Sequence, residues 1–172
     1  MHRARSHAAM SVRMAPLALA LALPFACVTG CSRVESPATA GQPHKHEHHP
    51  PHGGTPVVLG DETYHIELVL DPSSGTLQAF VLDGELENFI RSPVPSIEIA
   101  AEVGGAQRTL VLAAVANPAT GETVGDTSLF QVQADWLRTS REFDAVLRSI
   151  TIRGTTFTGV RFNFPKGNDT GG

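Results

Sequence analysis

Residues 56–77 read PVVLGDETYHIELVLDPSSGTL, and this stretch decides the fold. Two apolar runs, Val57-Val58-Leu59 and residues 64–70, flank Gly60-Asp61. In the second run Tyr64, Ile66, Leu68 and Leu70 fall on one face, and His65 and Glu67 on the other. That period of two marks a half-buried strand. Leu70 and Leu77 then bracket Asp71-Pro72-Ser73-Ser74-Gly75, a type I turn with glycine in the left-handed position. The stretch predicts three antiparallel strands in sequence.

The same punctuation recurs further on. Gly104-Gly105 separates residues 97–103 from 106–115, and Arg153-Gly154 separates 146–152 from 155–164. Ile97, Ile99, Ala101 and Val103 share one face; Val160, Phe162 and Phe164 share another. Residues 135–141 form the single helical candidate, with Trp136 and Leu137 packing inward, while residues 83–95 and 117–127 are loops. The expected fold is all-β, an antiparallel β-sandwich or small barrel of seven or eight strands over residues 53–165. A little over 110 residues suffice for one core. Residues 166–172 are expected to be a disordered tail.

Upstream of the domain the composition changes twice. Residues 1–30 carry Arg3, Arg5 and Arg13 ahead of the apolar run APLALALALPFACV, too short and interrupted for a membrane span and suited to a signal peptide. The run ends in Val28-Thr29-Gly30-Cys31, which resembles the lipobox of bacterial lipoproteins, with valine where leucine is commonest. The resemblance implies cleavage before Cys31 and lipidation of its thiol. Acyl chains contribute about 0.8 kcal/mol per buried CH₂, so two or three of them anchor firmly. Ser32 stands where an inner-membrane lipoprotein carries aspartate, which implies an outer-membrane anchor facing the periplasm. Residues 31–52 are rich in Pro, Ala, Ser and His and hold almost no large apolar side chain, so they read as a disordered tether. Its reach is roughly 25 Å.

Six histidines remain once the leader is gone: His44, His46, His48, His49, His52 and His65. Imidazole is the commonest protein metal ligand, so the cluster predicts metal contact. Both cysteines, Cys27 and Cys31, and all three methionines fall in or at the edge of the leader. Soft Cu(I) coordination is therefore excluded, and the candidates are Zn²⁺ or Cu²⁺ held by imidazole and oxygen. No cofactor is obligatory. Losing Arg3, Arg5 and Arg13 leaves 10 of 13 basic residues against 17 acidic ones, a formal −7 that argues against nucleic acid.

A two-residue loop at Gly60-Asp61 would set Val57 opposite Tyr64, Pro56 opposite His65 and Gly54 opposite Glu67. His52 then approaches Glu67 diagonally, and a bend at Gly53-Gly54 would bring His65 in as well. The expectation is a three-ligand site of His52, His65 and Glu67, supplemented by His44, His46, His48 and His49. The alternative is a solvated His and Glu on an exposed strand face.

His52-Gly53-Gly54 with His65-Ile66-Glu67 resembles a pattern in small bacterial lipoproteins, over the whole domain. Residues 52–70 also resemble the start of a periplasmic domain in heavy-metal efflux membrane-fusion adaptors. The adaptor's coiled-coil, lipoyl-like and barrel segments are missing, so the chain is not a complete adaptor. The lipoprotein resemblance implies no activity. The adaptor resemblance implies a metal ion or an envelope or efflux protein as partner.

Enzyme classes fit poorly. Cys–His catalysis has no cysteine within residues 53–165, and neither a G-x-S-x-G elbow nor a phosphate-cradling loop is present. The expectation is a non-enzymatic, lipid-anchored binding protein for a divalent transition metal, buffering it or delivering it to transport. The rival is an envelope interaction or structural lipoprotein.

Overall fold

The structure, a computed structural model, describes residues 49–169. It is all-β, as the alternation requires. Eight strands run β1 (Thr55–Leu59), β2 (Tyr64–Asp71), β3 (Thr76–Asp83), β4 (Ser96–Val103), β5 (Ala106–Ala114), β6 (Leu129–Gln133), β7 (Phe143–Ile152) and β8 (Thr155–Phe164). They form one antiparallel sheet in the order β1-β2-β3-β6-β5-β4-β7-β8. The sheet curls into a nearly closed barrel, the second of the two expected architectures.

The chain lays down β1-β2-β3 as a meander, crosses through residues 84–95 to β4, and returns as β5. β6 fills the gap between β5 and β3, and β7 and β8 extend the free side of β4. The helical candidate is one turn of 3-10 helix, Asp135–Arg138; Leu137 is fully buried and Trp136 meets Phe143 edge-on at 5.5 Å.

Inward-facing side chains fill the barrel, among them Ile66, Leu68, Ala79, Val81, Ile99, Leu110, Phe130 and Leu147. Tyr64 and Leu70 pack at its margin. β7 departs from simple alternation. Phe143, Ala145 and Leu147 face in, then Ile150 and Ile152 do. The phase changes at Arg148, opposite Gly159, whose φ of +65° is left-handed. Near the start of β8, Phe157 meets Tyr64 of β2 edge-on at 5.9 Å.

The first hairpin differs from the two-residue expectation. Leu59 pairs with Tyr64, Val57 with Ile66 and Pro56 with Glu67, so residues 60–63 make a four-residue connection. Glu62 adopts a left-handed φ of +57° within it. The expected register is off by two residues. A slip of two leaves every side chain on its face, so the inward set is as read.

The barrel closes where β1 meets the segment after β8. Asn168 donates from Nδ2 to the Val58 carbonyl at 3.1 Å and accepts the Val58 amide on Oδ1 at 2.7 Å. Its carboxamide takes the place of a strand neighbour. Thr55 Oγ1 donates to the Pro165 carbonyl at 3.1 Å. The folded body thus extends past residues 53–165 at both ends, taking in His52 and Asn168.

Candidate functional site

The site grows from the bend before β1. Gly53 has φ +66° and its amide is bonded to the Pro50 carbonyl, so the chain doubles back at His52. This aims two amides at one target. His52 N and Gly54 N each donate to Glu67 Oε1 at 2.8 Å. His52 Nδ1 sits 2.8 Å from Glu67 Oε2. The turn wraps a fully buried carboxylate as a nest of amides wraps an anion.

The two glycines act differently. Nothing lies within 4 Å of where a Cβ on Gly53 would be; that residue supplies conformation. A Cβ on Gly54 would sit 2.5 Å from the Leu68 carbonyl oxygen and 2.8 Å from Glu67 Cγ; that residue supplies space.

His52 and Glu67 therefore come together, as the diagonal relation on the hairpin suggests. His65 does not join them. Its Nδ1 lies 3.2 Å from the Asp83 carbonyl, at the far end of β3. Among the described residues no group of three or more His, Cys, Asp and Glu side chains could hold an ion. Nor is this face solvated, as the alternative had it. Glu67 is buried completely, His65 is 5% exposed, and Leu82, the ladder partner of His65, is buried as well. His49 is exposed; Cys31, His44, His46 and His48 lie outside the described residues.

Covering residues were missed by the sequence reading. The His52 ring stacks on Phe80 with centroids 4.0 Å apart, and Phe89 leans on both rings at 5.8 and 6.0 Å. Phe80 was detectable. On β3 Leu77, Ala79 and Val81 face in, so an aromatic at position 80 stands on the outer face and needs a partner there. Phe89 comes from the loop after β3 and carries no such signal.

These rings form one wall of a cavity of about 270 Å³. Leu129 extends the apolar side, while Arg91, Asn117, Thr120, Glu122 and Ser128 complete the lining. The charged groups in it are already engaged. Glu122 Oε1 accepts from Ser128 N and Oγ at 2.8 and 2.6 Å, and Oε2 from Thr120 Oγ1 at 2.7 Å. Burial pushes the Glu122 carboxyl up. The bonds from Ser128 and Thr120 and the charge of Arg91 outweigh it and hold the group below the usual glutamate range. Arg91 donates to Asp126 at 2.8 Å and to the Thr120 carbonyl at 2.6 Å.

Chemically, Glu67 decides what His52 offers. An ionised carboxylate only accepts, so a neutral His52 carries its proton on Nδ1 and its lone pair on Nε2. The His52 side chain remains 39% exposed and lines the cavity. No protein-family model, no curated protein and no solved structure matches the chain.

Proposed function

We propose that this chain is a non-enzymatic, lipid-anchored protein of the cell envelope, facing the periplasm, that binds a divalent transition metal. It buffers the ion or hands it to a transport system. The observation that carries the reading is the 2.8 Å contact between His52 Nδ1 and a fully buried Glu67. A carboxylate behind an imidazole fixes the tautomer and ring orientation of a metal-binding histidine and raises its basicity. In this reading His52 Nε2 is the ligand and Glu67 the orienting group, not a ligand itself. The imidazoles at His44, His46, His48 and His49 precede His52 closely enough in sequence to add further donors.

Titration calorimetry of Zn²⁺ into the full chain tests this. Glu67→Gln should weaken the tightest class about 10- to 100-fold, the usual cost of losing such an orienting partner. His52→Ala should remove that class, and His65→Ala should leave it. Binding by His52→Ala equal to that of the parent would overturn the proposal.

A further inference from the structure

The surroundings of His52 Nε2 suit a bare ion poorly. One imidazole supplies one donor, whereas a Zn²⁺ ion takes four. Among the described residues no group of three or more His, Cys, Asp and Glu side chains could hold an ion, and Glu67 is spent on His52 Nδ1 and two backbone amides. The nearest surfaces are the rings of Phe80 and Phe89, which offer a hydrated ion nothing in return for its water. Arg91 also lines the cavity, bonded to Asp126 and to the Thr120 carbonyl. The two oxygens of Glu122 are already held by Ser128 and Thr120.

The same features fit a different form of the metal. A cavity of about 270 Å³ is far larger than an ion and holds a flat molecule of two or three fused rings. Phe89 is 49% exposed, one of the few large apolar side chains left so open among the described residues. It and Phe80 give a ring system faces and edges to pack on.

We infer that the cavity beside His52 binds a divalent transition metal already complexed by a small, planar aromatic chelator, with His52 Nε2 completing the metal's coordination. The chelator supplies most donors and lies against Phe80 and Phe89. This rests on the proposed metal-binding role of His52 and narrows its substrate from free ion to chelate.

The test uses the full chain with His44, His46, His48 and His49 replaced by serine, so that binding at the tether does not mask the cavity. The probes are Zn²⁺ alone, a water-soluble hydroxyquinoline sulfonate alone, and the two at equal concentration, followed by calorimetry and by fluorescence anisotropy of the chelate. One well-packed ring contact corresponds to about tenfold in affinity, so the chelate should bind at least that much tighter than Zn²⁺ alone. Phe89→Ala should erase the gain and leave the affinity for Zn²⁺ alone, and His52→Ala should abolish chelate binding. The inference fails if the chelate binds no tighter than the ion, if the chelator alone binds as well as the chelate, or if Phe89→Ala changes nothing. Zn²⁺ binding that needs His52 but gains nothing from the chelator overturns this inference and leaves the metal-binding role standing. Zn²⁺ binding indifferent to His52 overturns both.

Discussion

Gly53 and Gly54 are adjacent and chemically identical, yet the site uses them for unrelated reasons. Gly54→Ala forces a methyl against the Leu68 carbonyl and Glu67 Cγ, neither of which is the free end of a flexible chain. It should destabilise the fold by about 1–3 kcal/mol, the usual cost of overpacking, and detach an amide from Glu67. Gly53→Ala meets open space and bears only the left-handed backbone penalty of about 1–2 kcal/mol. Chemical denaturation measures both, and Zn²⁺ titration should separate them further, with Gly54→Ala losing the tight class and Gly53→Ala keeping it. At this scale much of the site was legible. A His-Gly-Gly bend followed by a glutamate on the outward face of the next strand points to His52 and Glu67 directly. His65 turns to the Asp83 carbonyl instead of toward His52, because a shared strand face does not fix where a ring turns.

Hairpin chemistry gave the elements their places more securely than their pairing. Gly104-Gly105 and Arg153-Gly154 join strands with left-handed residues at both positions, as expected of tight turns. The first connection runs to four residues because Glu62 takes a left-handed φ that nothing in its side chain announces. The second connection carries its own acid dependence. Asp71 Oδ1 accepts from Ser73 N and Oγ, and Oδ2 from Ser74 Oγ at 2.6 Å; chiefly the Ser73 and Ser74 hydroxyls lower its pKa from 3.8 to about 2. A depressed folded-state pKa means the turn's contribution is whole above about 4 and is lost as pH falls toward 2. Asp71→Asn should therefore flatten the part of the acid-unfolding curve that lies between those values. At the closing edge, Asn168→Ala removes both bonds to Val58, each worth about 0.5–1.5 kcal/mol. Amide hydrogen exchange should show faster exchange at Val58 while the β4–β5 hairpin stays protected.

For the molecule as a whole, the alternating strands specified an all-β body, and the choice between sandwich and barrel lay beyond them. That choice depends on where β6 inserts and on how β1 meets the end of the chain, both pairings between residues far apart in sequence. The proposed anchor makes its own prediction at this scale. Cys31→Ser should release the protein from washed membranes, because no other part of the chain is expected to hold it there; retention of the variant would sink the lipoprotein reading. The bond between Val58 and Asn168 has a consequence in time. It spans 110 residues of chain. While the polypeptide is being made, β1 through β8 can pair in turn, but the closing partner of β1 does not exist until residue 168 has left the ribosome. Until then the outer edge of β1 lacks the carboxamide that satisfies Val58, so the seam is sealed last.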